Sequence, residues 1–302
     1  MASPPPIPQS LWSLMAEIGP RWAEDIPGHM KLMVEQFSSL LRDAPKHGVA
    51  VKREITYGAH PGQAFDIYSP RSRDGKRPTV LFVHGGAFTD GHRNRTDEIH
   101  GNIQYYLARH GVIGVNVGYR LAPEARYPEA TRDIAAVVEW FQQHADELGV
   151  DASRIFLMGH SAGGAHVGSY AYDRRLQPSA GAGIAGVIIV SGRLRADNLP
   201  ENPNARKVEA YYGTDPSLFE DYSPLSHVGP DSVPTLVAWA EYENPLIDVY
   251  CAELVYRIAV AKRRAPPVVW LKGHNHASIF AHFNTEEDYL GRAILEFIQR
   301  PR

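Results

Sequence analysis

The chain has 302 residues, 44% hydrophobic and 22% charged, with a formal net charge of −3. It carries no block of like charge and no apolar run near the roughly 20 residues a membrane helix needs, which argues against nucleic acid and membrane as partners. Cys251 is the only cysteine, so no intramolecular disulfide can form and the cytoplasm is the expected compartment.

Met1 to Ser10 is proline-rich and lacks the basic and apolar regions of a signal peptide. Pro4, Pro5, Pro6 and Pro8 exclude helix there, so Ala2 to Gln9 reads as a flexible arm. Two amphipathic segments follow. Leu11, Leu14, Met15 and Ile18 mark one apolar face; Met30, Met33, Val34, Phe37 and Leu41 mark a second, with Pro27-Gly28 between them. Few basic residues flank these faces, so the helices are expected on a core rather than a membrane surface. Their place ahead of the first strand predicts a cap over one end of a sheet. On this reading residues 1–45 form an arm and cap helices and 46–302 the main domain.

Val49 to Tyr57 and Ala64 to Tyr68 read as an opening strand pair. Pro78 to His84 and Val112 to Tyr119 are continuous apolar runs, as expected of strands buried on both faces. Glu98 to Arg109 and Pro128 to Leu148 read as helices. Ile155 to Met158, Ile184 to Val190, Thr235 to Ala240 and Val268 to Leu271 read as further strands. The segment after Thr235 to Ala240 is helical and buries Cys251 in the core. Leu290, Ala293, Ile294, Phe297 and Ile298 mark a closing helix. Strands alternating with helices predict the α/β class: a mostly parallel sheet with helices on both faces. Residues 193–225 carry no clear strand and read as a possible second cap piece.

The frame Gly159-x-Ser161-x-Gly163 falls where an apolar strand runs into small, helix-forming residues. A sharp strand-to-helix turn strains its central residue and brings two backbones together, so glycine is needed on either side. Such a turn lifts the Ser161 hydroxyl clear of the sheet. It leaves the Ala162 N–H at a helix N-terminus, where a developing anion is favoured. A serine nucleophile also needs a base, a group that orients the base, and oxyanion donors. Two glycines after a buried strand, in His84-Gly85-Gly86-Ala87, can present bare backbone N–H groups, so Gly85, Gly86 and Ala162 are the expected oxyanion hole. His84 is expected to brace that loop.

The base is expected in the loop after the last strand, Lys272-Gly273-His274-Asn275-His276. His276 is preferred over His274 because the extra residues allow the loop to fold back over Ser161. A metal-binding pair of His274 and His276 is the alternative, but no Cys or Asp/Glu cluster completes it, and no metal or cofactor is expected. The acid is expected after the preceding strand, where Glu241, Glu243 and Asp248 compete. Glu243 is preferred because it sits a few residues past the strand end; Asp248 reads as a helix N-terminal residue.

Four pieces in this order resemble the hormone-sensitive-lipase-like esterases: His84-Gly85-Gly86, Tyr119-Arg120-Leu121-Ala122-Pro123-Glu124, Gly159-His160-Ser161-Ala162-Gly163-Gly164 and Gly273-His274-Asn275-His276. The resemblance implies an α/β-hydrolase fold with a cap, and carboxylic ester hydrolysis without a cofactor. There are two departures. His160 stands where that family often has Asp. The Asp-Pro-Leu that follows the penultimate strand appears as Glu243-Asn244-Pro245-Leu246, so aligning on Pro-Leu puts Asn244 in the acid position, and a shift of one puts Glu243 there. Phe88, Tyr211 and Tyr212 are expected to line an apolar pocket for small acyl or aryl esters. The same machinery could cleave an arylformamide, another activated amide or a carbamate, and a non-catalytic binding protein is the remaining alternative. Assembly as a homo-oligomer is possible.

Overall fold

Period-two alternation along the central strands feeds two separate cores. The computed structural model describes residues 3–72 and 75–300; Met1, Ala2, Pro301 and Arg302, at the ends of the expected domains, lie outside the described residues. The strands are β1 (Val49–Thr56), β2 (Ala64–Pro70), β3 (Arg77–Val83), β4 (Ile113–Val117), β5 (Val150–His160), β6 (Gly186–Val190), β7 (Thr235–Tyr242) and β8 (Val268–Asn275). They form one sheet in the order β1-β2-β4-β3-β5-β6-β7-β8. The β1/β2 and β2/β4 pairs are antiparallel and all the others parallel.

The helices are α1 (Gln9–Ile18), α2 (Ile26–Leu41), α3 (Gly101–Arg109), α4 (Glu129–Gln143), α5 (Ala145–Leu148), α6 (Ala162–Tyr172), α7 (Ala205–Tyr212), α8 (Phe219–Tyr222), α9 (Ile247–Lys262), α10 (Ser278–Ala281) and α11 (Tyr289–Gln299). Leu81, Val83, Ile155 and Leu157 point into one core, with α4, α6 and α9. Val80, Phe82, Phe156 and Met158 point into the other, with α1, α2, α3 and α11. Both faces of the parallel strands are therefore apolar, which is why the sequence shows continuous apolar runs there. Cys251 is fully buried in the first core, and burial raises its thiol well above the usual range.

Three differences from the sequence reading have physical causes. The N-terminal arm is docked rather than free: Ile7 is buried and the Pro5 carbonyl accepts the Glu286 N–H at 3.0 Å. Proline fixes an extended backbone but does not prevent that backbone from packing. The expected helix Pro128 to Leu148 is two helices, α4 and α5, broken at His144. The last strand runs on to Asn275, through a register shift between Ala240 and Tyr242 that re-aims its end. His274 therefore lies on the strand, and His276 directly follows it.

Several polar groups are held in these cores as neutral species. Burial pulls the His84 imidazole down to about 4 and His166 down to about 3. An unfolded histidine titrates near 6.5, so between pH 6.5 and 4 the unfolded chain takes up protons that the folded chain refuses. The stabilisation is thus complete above pH 6.5 and is lost as pH falls, by about 3 kcal/mol for His84 alone at pH 4. Urea midpoints measured across that range are expected to fall steadily with acidification; a flat profile would contradict the neutral burial.

Candidate active site

β5 delivers Ser161 at the carboxyl end of the sheet. Ser161 has φ 54° and ψ −120°, a strained conformation for a residue with a Cβ. Close packing holds it there. A Cβ on Gly163 would lie 2.2 Å from the Val83 carbonyl oxygen, so only glycine lets α6 begin against the end of β3.

The Ser161 hydroxyl oxygen is 3.1 Å from His276 Nε2. On the other side of the ring, His276 Nδ1 makes a short hydrogen bond to Glu243 Oε2. Glu243 is itself fixed, because Oε1 accepts the Ser191 hydroxyl at 2.5 Å and the Ala240 N–H at 2.8 Å. The His276 and Glu243 side chains are almost fully withdrawn from solvent. The structure thus brings Ser161, His276 and Glu243 into one hydrogen-bonded line. A carboxylate on Nδ1 leaves Nε2 as the acceptor facing the hydroxyl, which is the tautomer a general base requires.

The competing residues lie elsewhere. Asp248 is exposed on the first turn of α9. The Glu241 carboxylate accepts the Gly273 N–H at 2.7 Å. Asn244, which alignment on Pro-Leu put in the acid position, accepts the Trp22 indole N–H at 2.7 Å. His274 meets Ser278 through Nδ1 at 3.1 Å and does not reach Ser161.

Gly85 and Gly86 lie beside Ser161. A Cβ on Gly85 would come 2.9 Å from Ser161 Cβ, and one on Gly86, at φ +144°, would come 1.7 Å from the Asp90 carbonyl oxygen. This loop is held from behind, where His84 Nδ1 donates to the Gly85 carbonyl at 2.7 Å and the Tyr119 hydroxyl donates to the His84 carbonyl at 2.7 Å. Ala162, the first residue of α6, directly follows Ser161.

His160, the departure just before Ser161, has a structural use. Its Nε2–H donates to the His276 carbonyl at 3.0 Å, which ties the histidine loop to the end of β5. Burial, with His276 and His100 nearby, holds the His160 imidazole well below the usual range. The sequence showed only that the residue departs from the familiar pattern.

A cavity of about 450 Å³ opens over Ser161 and His276 and is walled by Gly85, Gly86, Ile26, Pro27, Met30, Arg95, Asn204, Lys207 and Asn244. The first turns of α2 and the entry to α7 therefore form its rim. Phe88, Tyr211 and Tyr212 do not line it, and that expectation is corrected. Phe88 and Tyr211 are 1% exposed and Tyr212 6%. Phe88 stacks on Tyr211 at 4.9 Å and meets Tyr212 edge-on at 5.3 Å. The three rings anchor α7 to the loop from inside, because their flat faces find more partners in the core than at the cavity wall. A larger cavity, about 630 Å³, lies at the opposite end of the sheet by Pro234, Thr235 and Pro267; among the described residues that line it, none is a nucleophile paired with a base.

A family model described as BD-FAE matches residues 65–175. That stretch includes Gly85, Gly86 and Ser161 and stops short of Glu243 and His276. Esterase LipC of Mycobacterium tuberculosis is 26% identical over 247 residues, which cover 74% of this chain and 59% of that protein. A probable isoprenylcysteine alpha-carbonyl methylesterase of Arabidopsis thaliana is 34% identical over 136 residues, 45% of this chain and 31% of the other. The chain thus spans less than two thirds of the length of these curated relatives. Among solved structures, a hyperthermophilic esterase from the archaeon Pyrobaculum calidifontis superposes with a TM-score of 0.74 at 22% identity, over 97% of this chain and 98% of that one. The architecture is the α/β-hydrolase fold, and the chain resembles the hormone-sensitive-lipase-like esterases. Among the described residues no helix is long and apolar enough to cross a membrane.

Proposed function

We propose that this protein is a serine hydrolase that cleaves small acyl or aryl carboxylic esters through an acyl-enzyme. The observation that carries this reading is the hydrogen-bonded line from Ser161 through His276 to Glu243, set beside a paired-glycine loop at the floor of a cavity. The similarity to esterases along much of the chain supports it.

In the first step the Ser161 hydroxyl oxygen attacks the ester carbonyl carbon, and its proton passes to His276 Nε2. The carbonyl π electrons move onto oxygen, which the N–H groups of Gly85, Gly86 and Ala162 hold. Glu243 stabilises the imidazolium that forms. Collapse of the tetrahedral species breaks the bond to the alcohol oxygen, which leaves with the proton from His276. Water then attacks the acyl-enzyme with the same proton path and frees the acid. The machinery is complete without a cofactor. The roughly 450 Å³ cavity, with Ile26, Pro27 and Met30 on its rim, suits short acyl or aryl groups better than long chains.

Two experiments test the reading. A fluorophosphonate probe is expected to label the protein once, on the peptide containing Ser161; absence of labelling would refute it. A panel of p-nitrophenyl esters of rising acyl length, run beside formamide and carbamate analogues, is expected to show the highest kcat/KM on short esters. The oxyanion loop has its own test. In Gly86→Ala the new methyl meets the Asp90 carbonyl, so the loop must move. A fall in kcat of about 100- to 1,000-fold is expected, the usual result of losing one oxyanion donor. A cytoplasmic location remains part of the proposal, supported by the single cysteine.

A further inference from the structure

Behind the histidine loop, away from the reaction path, three metal-ligand side chains converge. They are His274 at the end of β8, His282 just after α10, and Glu287 ahead of α11. Their ligand atoms lie within 4.8 Å of one another. His282 Nε2 is 3.0 Å from Glu287 Oε2, and His274 Nε2 is 3.6 Å from the same oxygen. Both histidines are buried, while Glu287 is about a quarter exposed and gives the cluster a route to solvent.

The far side of the His282 ring settles how its near side is presented. His282 Nδ1 is 2.9 Å from the Ser278 carbonyl. A carbonyl can only accept, so Nδ1 carries the proton and Nε2 of the neutral ring is a bare lone pair. That lone pair faces a carboxylate oxygen, which is also an acceptor, and both atoms are buried without a hydrogen-bond partner. Two buried acceptors at 3.0 Å repel unless a cation lies between them. A single proton between His282 and Glu287 would leave His274 Nε2, 3.6 Å from the same oxygen, beyond hydrogen-bond reach. A divalent ion satisfies all three atoms together. Ligands about 2.0 to 2.1 Å from a tetrahedral ion lie about 3.4 Å from each other, and the two observed N–O separations fall on either side of that value. Nδ1 held by a carbonyl or hydroxyl, with Nε2 turned inward, is also the usual outer support of a metal-binding histidine.

We propose that His274 Nε2, His282 Nε2 and Glu287 Oε2 bind one divalent transition-metal ion of the zinc type, with a fourth position open to water past Glu287. Its role is structural. The ion ties the end of β8 to the segment after α10, and so braces the short stretch that carries His276 without touching substrate. The sequence offered His276 as the metal partner of His274; the fold gives His276 to Glu243 and provides His282 and Glu287 instead.

The test uses the full chain, stripped with a chelator and titrated with ZnCl2. One zinc per chain is expected after gel filtration, with a rise in Tm of about 5 °C at saturating metal. Co2+ is expected to give the visible d–d bands of a low-symmetry four-coordinate site. His282→Ala and Glu287→Gln are expected to lose the bands and to weaken zinc binding at least about tenfold, whereas His47→Ala and His110→Ala, on the surface, keep both. If His282→Ala does not fold, Glu287→Gln decides, since it keeps size and sits at the rim. Substoichiometric zinc in the wild type, or equal retention in Glu287→Gln, would overturn the proposal.

Discussion

Ser161→Ala is expected to reduce kcat on p-nitrophenyl butyrate by roughly a million-fold, as removal of a serine nucleophile does elsewhere. The hydroxyl is the only atom lost. Alanine keeps the Cβ and hence the same strained φ of 54°, so neither relief of backbone strain nor a new clash accompanies the change. Tm should stay within about 2 °C of the wild type, because the lost hydroxyl borders the cavity, where water can take its place beside His276 Nε2. Fluorophosphonate labelling should vanish in the same protein. Full activity in this variant would remove the acyl-enzyme altogether. Lost activity accompanied by a large fall in Tm would mean that folding, rather than the nucleophile, had been damaged.

Glu243→Gln and Asp248→Asn form the second test, and the two are expected to diverge sharply. Glutamine in place of Glu243 can offer an N–H where His276 Nδ1 needs an acceptor, which favours the wrong tautomer. The corresponding change in serine proteases lowers kcat about 10,000-fold, and a loss of that order is expected here. Asp248→Asn should leave kcat within about twofold of the wild type, since an exposed side chain far from the reacting atoms rarely matters by more than a few tenths of a kcal/mol. The Ser191 hydroxyl and the Ala240 N–H both donate to Glu243 Oε1. Glutamine must turn its amide to suit them or lose one, so a modest fall in stability should accompany the kinetic loss. The opposite pattern, with Asp248→Asn inactive, would move the acid to the start of α9.

Chemistry that depends on neighbours in the chain was legible early. The α/β class followed from apolar strands alternating with helices, because a strand buried on both faces has no polar side to show. The tight bend at Ser161 followed from Gly159 and Gly163, since local sterics permit nothing larger there. The paired glycines at 85 and 86 could be read in the same way. The order serine, acid, histidine usual in this fold pointed to a candidate base after the last strand and a candidate acid after the one before it.

What the chain order could not supply was direction and depth. Glu243, Asn244 and Asp248 are close in sequence, and only the end of β7 decides that the first turns inward to His276 while Asp248 faces solvent. Phe88, Tyr211 and Tyr212 carry no mark telling an inner layer from a cavity wall, because aromatic rings suit both. His160 gained its purpose only when folding set the His276 carbonyl 3.0 Å from its ring. His274 met His282 and Glu287 in the same way, across a break between a strand and a helix. The sequence by itself determined which local shapes were affordable and which reactive groups were present. The tertiary structure alone decided which of those groups meet, because hydrogen bonds of about 3 Å between distant segments depend on how whole elements pack and not on any residue's own preference.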